Sequence, residues 1–280
     1  MGAPAVSEAV STPRFDAAPD IARRFVEARL AARPLADFPG PLPPDLDAGY
    51  ACQDAAIPLW PDEIAGWKVG RIMPPPPPAE PQRLAGPVFR AAVKVVTGVT
   101  PVPFIAGGFA AVESEYVLRL GADAPPDRTR WTRAQALELV DAMFIGMETA
   151  GSPLASINAL GAKVTVADFG NNAGLLLGPQ IAGWRDMADE DLTCETLIAG
   201  ASVGVGGASS LPGGPVGSLV FLLGHCARRG RPLKAGQLIT TGAATGVHDI
   251  EIGQSARADF GRHGHIDVIA VRAEPAADRE

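Results

Sequence analysis

Residues 111–120 read Ala111-Val112-Glu113-Ser114-Glu115-Tyr116-Val117-Leu118-Arg119-Leu120. The run is rich in β-branched and aromatic residues and predicts a strand over Phe109–Leu120. Because side chains alternate between the two faces of a strand, Glu113 and Glu115 would project on the same face. Two carboxylates held so close repel each other unless one is protonated or a cation lies between them. The spacing leaves two interpretations open, a solvated edge face or a site for a hard divalent ion such as Mg²⁺.

The bulk composition indicates a globular protein of one or two domains. The chain has 280 residues, of which 47% are hydrophobic and 20% charged, so it is long enough to bury a substantial core. Its net charge of −7 argues against nucleic acid as the main partner, because nucleic-acid-binding proteins usually present a basic face. No long uninterrupted apolar run is present, and residues 1–19 do not have the pattern of a secretory signal. We therefore expect a cytoplasmic protein without a membrane or nucleic-acid partner.

The cysteines and histidines give no sign of a disulfide framework or a zinc site. Cys52, Cys194 and Cys226 are odd in number and far apart, and no two of them form a Cys-x-x-Cys pair. We expect reduced, mostly buried thiols, since free cysteine is commonly buried. The histidines show neither H-x-x-x-H nor H-E-x-x-H spacing, so zinc is not predicted.

The beginning of the chain predicts a disordered tail followed by helices. Residues 1–19 are rich in Ala, Pro and Ser, which is typical of a frayed terminus. Asp20 would cap a helix over residues 21–33, and a second helix is expected over Leu46–Ala56. We therefore divide the chain into a tail at 1–19, a helical region at 20–62 and a larger domain at 63–272.

Beyond residue 63 the pattern changes to short β-branched runs separated by Gly and Pro. Strands are predicted over Val93–Val102, Phe109–Leu120, Val164–Val166, Leu175–Leu177, Leu238–Thr241 and Ile266–Val271. Helices are predicted over Thr132–Met143, opened by a Thr cap with Gln135 three residues later, and over Val216–Arg229, followed by Gly230. Regular βαβ alternation is absent, so an α+β fold with a largely β core is favoured over a Rossmann fold.

Two further charged residues are candidates because their neighbours are apolar. Glu148 follows Phe144-Ile145-Gly146-Met147, which predicts a buried strand, where a lone charge is costly unless it is paired or bound to a metal. Lys68 lies in Gly66-Trp67-Lys68-Val69-Gly70, where partial burial would lower the pKa of its ammonium towards the range of proton transfer. The alternative for Lys68 is a strand-edge lysine that reaches solvent. Nothing in the spacing indicates that Glu148 meets the other two glutamates.

Several of these motifs together resemble the 2-keto-4-pentenoate hydratase family of the fumarylacetoacetate hydrolase superfamily. The matching segments are 48–53, 66–70, Glu113-x-Glu115, Glu148, Val166-Ala167-Asp168, 229–246 and 258–261. They occur in the order expected for the family and extend over roughly residues 46–271. Such an ordered set is far more specific than any single motif.

The resemblance implies a mixed β-roll core of the fumarylacetoacetate hydrolase type, a helical N-terminal part and assembly into homo-oligomers. The larger domain would be the catalytic one. The resemblance also implies that Glu113, Glu115 and Glu148 bind Mg²⁺ or Mn²⁺, which a small 2-oxo acid substrate chelates. The ion would stabilise the enolate that forms when the adjacent carbon loses a proton. Lys68 would be the catalytic residue that transfers protons or polarises water.

Three residues are candidates for holding the substrate. The turn Thr241-Gly242-Ala243-Ala244-Thr245-Gly246 resembles the family's substrate-carboxylate loop, in which hydroxyls or backbone N–H groups donate. Thr241 and Thr245 are therefore candidates, with ordinary turn chemistry as the alternative. Lys163 precedes Val166-Ala167-Asp168, near a position where the family commonly has Asp. If it points inward, Lys163 would suit a second carboxylate on the substrate; otherwise it is a surface lysine.

Two departures from the family pattern leave the reaction open. Hydratases of the family usually carry Gln-Pro-Asp-x-Gly after the lysine motif, whereas this chain has Leu84 at the Asp position. The Asp expected three residues after Glu148 is replaced by Gly151. We expect a metal-dependent lyase, in the first place a hydratase acting on a 2-hydroxydienoic acid. The alternatives are a decarboxylase of the 4-oxalocrotonate type, an acylpyruvate hydrolase and a catalytically silent homologue serving as a partner subunit.

Overall fold

The computed structural model describes residues 15–75, 77–78 and 82–276. The α-helices of this part are α1 (Ala18–Leu30), α2 (Leu46–Ala56), α3 (Arg133–Glu138), α4 (Ala162–Ala167) and α5 (Gly214–Arg228). The strands are β1 (Ile64–Arg71), β2 (Arg83–Phe89), β3 (Val93–Val95), β4 (Thr100–Phe104), β5 (Phe109–Leu120), β6 (Val140–Ser152), β7 (Asn172–Gln180), β8 (Thr193–Ile198), β9 (Ala201–Gly207), β10 (Leu238–Thr240), β11 (His248–Asp249), β12 (Ser255–Asp259) and β13 (His265–Arg272).

The strands form two mixed sheets. The larger sheet has the order β2-β1-β10-β5-β6-β7-β3, with β11 paired to β5, and the smaller sheet has the order β4-β13-β12-β8-β9. Most neighbours are antiparallel, whereas the pairs β1–β10, β3–β7 and β4–β13 are parallel. The predicted α+β class, with a mixed β core and a helical N-terminal part, is confirmed.

The two long strands β5 and β6 pair in the middle of the larger sheet, and their side chains project alternately on its two faces. Tyr116 and Leu118 project on one face and are fully buried in the main core, where the rings of Tyr116 and Phe260 lie 5.4 Å apart, edge to face. Leu219 and Leu222 of α5 belong to the same core. Because of the period of two along β5, its odd-numbered residues project on the opposite face. The two glutamates of β5 therefore lie away from the main core.

The N-terminal helices are fixed to the larger sheet by side chains of α2. The hydroxyl of Tyr50 accepts a hydrogen bond from the backbone N–H of Ala85 on β2 at 2.9 Å. The amide of Gln53 donates to the carbonyl oxygens of Ala85 and Val166, each at 3.0 Å. Since Gln53 is fully buried, these bonds satisfy polar groups that would otherwise be left without partners. They hold β2 and α4 against α2.

The first helix begins earlier than the sequence predicted. It runs from Ala18 to Leu30, with Ala17 as an N-cap that provides no capping side chain. Asp20 lies in the first turn and pairs with Arg23, so the predicted cap at Asp20 and the bounds 21–33 are wrong. Pro19 is compatible with the first turn, where its missing N–H is not needed. Of the predicted tail, residues 1–14 lie outside the described residues.

Two other predicted elements changed type. The capping box of Thr132 and Gln135 is confirmed, but α3 ends at Glu138, and the following residues start β6. Pairing of β6 with both β5 and β7 outweighs the local helical pattern there. The predicted strand Val164–Val166 lies within α4, a helix of fewer than two turns that packs against α2.

The described residues contain no helix that is both long and apolar enough to cross a membrane. Cys52, Cys194 and Cys226 are free and buried, as expected. Burial raises the pKa of each of these thiols to about 12, so none of them is a ready nucleophile.

Candidate metal centre

Three glutamates converge on one face of the larger sheet. Glu113 and Glu115 lie two positions apart on β5, and Glu148 on β6 is the direct cross-strand partner of Glu113. Each offers a carboxylate oxygen, and these oxygens all lie within 4.8 Å of one another. The exposed fraction is 4% for Glu113 and 0% for Glu115 and Glu148. The register of β5 and β6 thus brings together carboxylates that the sequence spacing alone could not connect.

The carboxylate of Glu148 is held by residues from three other strands. Asn172 of β7 donates from Nδ2 to Oε1 at 3.0 Å, and Thr240 of β10 donates from Oγ1 to Oε2 at 3.2 Å. The ammonium of Lys68 on β1 lies 3.4 Å from Oε1. Both oxygens of Glu148 therefore have a fixed orientation.

Glu115 has one satisfied and one unsatisfied oxygen. Its Oε2 accepts a hydrogen bond from the backbone N–H of Gly242 at 2.8 Å. Its Oε1 is buried and has no hydrogen-bond partner. A buried carboxylate oxygen without a partner costs free energy, and a bound cation is one of the few groups that could remove this cost.

Burial and the charges of neighbouring glutamates make Glu113 and Glu115 weak acids. Burial raises the pKa of Glu113 to about 7, although the nearby Lys68 ammonium opposes the shift. Burial, together with the charges of Glu148 and Glu113, raises the pKa of Glu115 well above its usual range. One ammonium does not neutralise three carboxylates, so the site as a whole favours an additional positive charge.

The donor set fits a hard divalent ion. Three carboxylates supply the oxygen ligands that Mg²⁺ and Mn²⁺ prefer, and Glu115 Oε1 is free to bind one. Neither the thiols nor the imidazoles of the chain belong to the cluster, which disfavours a softer metal. Glu113, Glu115 and Glu148 are therefore the residues that would hold the ion.

Lys68 is buried beside the glutamates, with an apolar neighbour. A Cβ atom at Gly70 would lie 3.4 Å from Lys68 Nζ and 3.2 Å from Cδ1 of Leu84, so both side chains border the same point. Burial by itself lowers the pKa of Lys68, but the charges of the three glutamates outweigh burial and the pKa is raised. The expected lowering is wrong, because the sequence did not reveal how many carboxylates surround the ammonium.

A large cavity lies elsewhere in the structure. It has a volume of about 690 Å³ and is bordered by α1, β4 and β7, with Trp60, Phe104, Phe169 and Arg272 among its lining residues. Asn172 reaches its wall, but none of the three glutamates does. The cavity is therefore separate from the metal centre.

Comparisons with known proteins give a partial match in sequence and a more extensive match in fold. No family profile matches the chain. Over 133 residues it is 32% identical to 2-keto-4-pentenoate hydratase of Paraburkholderia xenovorans (strain LB400) and to 2-keto-4-pentenoate hydratase 3 of Pseudomonas putida, which covers 47% of this chain and 48% of each relative. The match thus spans about half the length of these curated relatives.

The similarity of fold extends over almost the whole chain. The structure of 4-oxalocrotonate decarboxylase from Pseudomonas putida G7, complexed with magnesium and adipate, has a TM-score of 0.74 and 17% identity, covering 93% of this chain and 99% of that one. The chain therefore has a fold of the fumarylacetoacetate hydrolase type. Fumarylpyruvate hydrolase from Pseudomonas aeruginosa, in complex with Mn²⁺ and pyruvate, has a TM-score of 0.56 and 17% identity, covering 74% of this chain and 89% of that one.

The loop that resembles the superfamily's substrate-carboxylate loop borders the metal centre. Gly242 donates to Glu115, as described above, but the hydroxyl of Thr241 donates to the carbonyl oxygen of Tyr116 at 2.7 Å. Thr241 is 1% exposed, and its hydroxyl proton is used in this hydrogen bond within the protein. Thr245 Oγ1 lies 2.7 Å from Thr196 Oγ1 on β8. The structure thus places both threonines in the loop, with hydroxyls engaged in protein contacts.

Lys163 is not brought to the glutamates. It lies on α4, and its ammonium donates to the carbonyl oxygen of Pro44 at 3.3 Å, on the outside of the N-terminal region. The pKa shifts of Glu113 and Glu115 have their causes in burial, in the other glutamates and in Lys68, with no contribution from Lys163. The surface interpretation of Lys163 therefore fits this contact.

Three residues of the site were missed in the sequence. Asn172 and Thr240 bind Glu148, and Gly242 binds Glu115 through its backbone. Thr240 and Gly242 lie inside the segment 229–246 that carries the superfamily resemblance, so their place next to Thr241 was a usable signal. Asn172 has no such signal, since its role depends on the pairing of β6 with β7.

Proposed function

We propose that this protein is a divalent-metal-dependent lyase acting on a small 2-oxo acid, with Mg²⁺ or Mn²⁺ held by Glu113, Glu115 and Glu148. The proposal is carried by one observation, the unpartnered Oε1 of Glu115 within a buried cluster of three carboxylates and a single ammonium. It is supported by the magnesium and adipate, and by the Mn²⁺ and pyruvate, in two structures of similar fold.

Lys68 is the proposed catalytic residue. When bound, the ion supplies Lewis-acid polarisation of the 2-oxo group. Glu148 orients the ammonium at 3.4 Å, so that Nζ presents a proton beside the site. A retained proton next to a substrate carbon suits general-acid catalysis, in which Nζ gives its proton to the carbon.

Decarboxylation is the reaction that the surroundings of Lys68 favour. The carbon–carbon bond to a carboxylate breaks, CO₂ leaves, and the electron pair passes towards the polarised 2-oxo group until the carbon takes up one proton. This sequence needs one proton donor and no base. Leu84 provides an apolar wall beside Lys68 Nζ, and loss of CO₂ is easier from a poorly solvated carboxylate.

Hydration is the second candidate. It is favoured by the 32% identity with 2-keto-4-pentenoate hydratase. Addition of water needs a base for the water as well as an acid for the carbon. Leu84 cannot serve as that base. The apolar position therefore argues for decarboxylation over hydration.

The test is a spectrophotometric assay of the purified protein with Mg²⁺ or Mn²⁺ and then with chelator. The substrates are 4-oxalocrotonate, 2-hydroxypenta-2,4-dienoate and an acylpyruvate, with CO₂ release measured separately. Chelator-sensitive release of CO₂ from 4-oxalocrotonate is the expected result. Turnover of the dienoate instead would select hydration, and turnover of the acylpyruvate would select hydrolysis. Metal binding without turnover of any of the three would favour the silent homologue.

A further inference from the structure

A chain of hydroxyl groups runs behind the metal centre and joins the two sheets. Thr196 lies on β8 of the smaller sheet and is fully buried. Its Oγ1 lies 2.6 Å from Oγ of Ser114 on β5 and 2.7 Å from Oγ1 of Thr245. Thr245 Oγ1 in turn lies 3.1 Å from Nε2 of His248 on β11. Four side chains from separate segments thus form one continuous network.

The loop that carries Thr245 also holds a proposed metal ligand. The N–H of Gly242 donates to the carboxylate of Glu115 at 2.8 Å, and the N–H of Ala244 donates to the carbonyl oxygen of Ser114 at 2.9 Å. Gly242 has a φ of +116°, which glycine adopts without strain. The direction of its N–H depends on how the two ends of the loop are fixed.

Each end of this loop has its own anchor. At the first end, Thr241 donates to the carbonyl oxygen of Tyr116 from both its hydroxyl and its backbone N–H. At the second end, Thr245 bonds to Thr196, and the ring of His248 packs against β9 where Gly204 leaves room. A Cβ atom at Gly204 would lie 2.6 Å from that ring. The Thr196–Thr245 bond is the side-chain link from the second end to the buried strands, next to the backbone bond from Ala244 to Ser114.

Thr196 lies on the far side of β5 from the metal centre. Its partner Ser114 projects on the face opposite Glu113 and Glu115, because side chains alternate along the strand. Thr196 therefore reaches the site only indirectly, through Ser114 of β5 and through the loop. A hydroxyl in this buried place is costly unless it is hydrogen-bonded, and here it has two partners.

We infer that Thr196 is a positioning residue, whose hydroxyl fixes the loop 241–245 and thereby orients the Glu115 carboxylate for the divalent ion. This inference rests on the proposed function, since it assumes that Glu115 binds the metal. It assigns to the smaller sheet a part in the metal site, although that sheet contributes no ligand.

The test compares Thr196→Val, Thr196→Ser and Thr193→Val in calorimetric titrations with Mn²⁺, at a temperature well below unfolding. Thr196→Val keeps the shape of the side chain but removes the hydroxyl, and we expect about tenfold weaker Mn²⁺ binding, within the range that outer-shell changes cause. Thr196→Ser keeps the hydroxyl and should bind within about twofold of the wild type. Thr193 lies exposed on the same strand, and Thr193→Val is the matched control.

The outcomes separate the inference from the proposed function. If Thr196→Val fails to fold, Thr245→Val breaks the same link from a half-buried position, with the same weakening expected. Unchanged Mn²⁺ affinity in the folded variant would overturn the role of Thr196 but leave the metal centre intact. Equal weakening in Thr196→Ser would also overturn it, since packing and not the hydroxyl would then matter. Absence of Mn²⁺ binding by the wild type would contradict the proposed function itself.

Discussion

At the scale of single residues, the site consists of charges that would be unfavourable in a protein without a ligand. Glu113, Glu115 and Glu148 are buried close together, the ammonium of Lys68 lies 3.4 Å from Glu148, and one oxygen of Glu115 has no partner. Such an arrangement lowers stability, and proteins retain it where function requires it. Binding of a metal ion would relieve the unfavourable burial of these carboxylates and so recover the free energy that the fold loses here.

Glu115→Gln separates metal binding from stability. The change removes a ligand charge, so Mn²⁺ affinity should fall by more than the roughly 10- to 100-fold that loss of an outer-shell partner causes. The free energy of unfolding without metal should rise by about 1–3 kcal/mol, because a buried charge without a full set of partners is removed. Calorimetry with Mn²⁺ and urea denaturation measure the two effects.

The control is Glu195→Gln, which changes a glutamate of β8 outside the cluster and should leave both quantities unchanged. Unaltered Mn²⁺ affinity in Glu115→Gln would exclude Glu115 from the ligands.

Leu84→Asp tests whether the apolar neighbour of Lys68 selects the reaction. A carboxylate there would supply the base that hydration needs, so turnover of 2-hydroxypenta-2,4-dienoate should rise at least about 100-fold relative to Leu84→Asn. The Asn variant is the control, since it has nearly the same shape and no basic group. Both variants lose apolar burial, so we expect a lower free energy of unfolding by roughly 2–4 kcal/mol in each. Equal rates in the two variants would count against a selecting role for Leu84.

The sequence predicted which glutamates are candidate metal ligands, but it did not predict that all three lie close together in the fold. Glu113 and Glu115 could be placed on one face because the period of a strand is fixed. Glu148 could be placed in a buried strand, but its pairing with Glu113 depends on the register of β5 and β6. Register is set by packing of the whole sheet, which a local pattern does not contain.

At the scale of elements, the prediction succeeded where local and tertiary preferences agree. The bounds of α2 and β5 match the predicted Leu46–Ala56 and Phe109–Leu120. Residues 140–143 were assigned to the helix that the Thr132 cap opens, because a short segment of this kind fits either type of structure. They form a strand because β6 has partners on both sides. The local sequence pattern contains no information about strand partners that are distant in the chain.

The docking of α1 depends on a buried ion pair. Arg29 lies 2.5 Å from the carboxylate of Asp168, and it also donates to the carbonyl oxygens of Gly151 and Asn172. Its side chain is 9% exposed and that of Asp168 is 0%. Ser152 donates to the same carboxylate at 2.6 Å. This network connects α1 to the ends of β6 and β7, next to the strand positions that carry the site.

Arg29→Met should therefore destabilise the protein strongly. It leaves the Asp168 carboxylate buried without its cation, which costs about 3–5 kcal/mol. Arg23→Met is the matched control on the same helix, because Arg23 pairs with Asp20 and Glu27 on the exposed surface, where the effect should stay below about 1 kcal/mol. Urea denaturation of both variants measures the difference. Equal free energies of unfolding would mean that the pair does not hold α1 in place.

At the scale of the whole molecule, the candidate metal centre depends on the larger sheet and not on any single motif. Its residues come from five strands that are neighbours in the sheet order β1-β10-β5-β6-β7. These residues are Lys68, Thr240, Glu113, Glu115, Glu148 and Asn172. Because the strands are far apart in the chain, the site exists only once the sheet has formed. Folding and metal binding should therefore be coupled.

The raised pKa of Glu113 predicts an unusual dependence of stability on pH. Burial raises the pKa of Glu113 from its ordinary 4.5 to about 7 in the folded protein. A group whose folded pKa lies above the unfolded value contributes stability that is present below the unfolded pKa and lost as the pH rises through the folded one. The metal-free protein should therefore melt at a lower temperature at about pH 8 than at about pH 5.5.

Saturating Mn²⁺ should offset the loss of stability at the higher pH. The ion binds ionised carboxylates and only the folded site, so the rise in melting temperature on adding Mn²⁺ should be larger at about pH 8 than at about pH 5.5. Scanning calorimetry of the two forms at both pH values measures this, with Glu115→Gln as the form that should respond little to Mn²⁺. If the metal-free protein instead became more stable as the pH rose, the glutamates would already be ionised at the lower pH. The three carboxylates would then be compensated within the fold, and no bound cation would be needed to offset their charge.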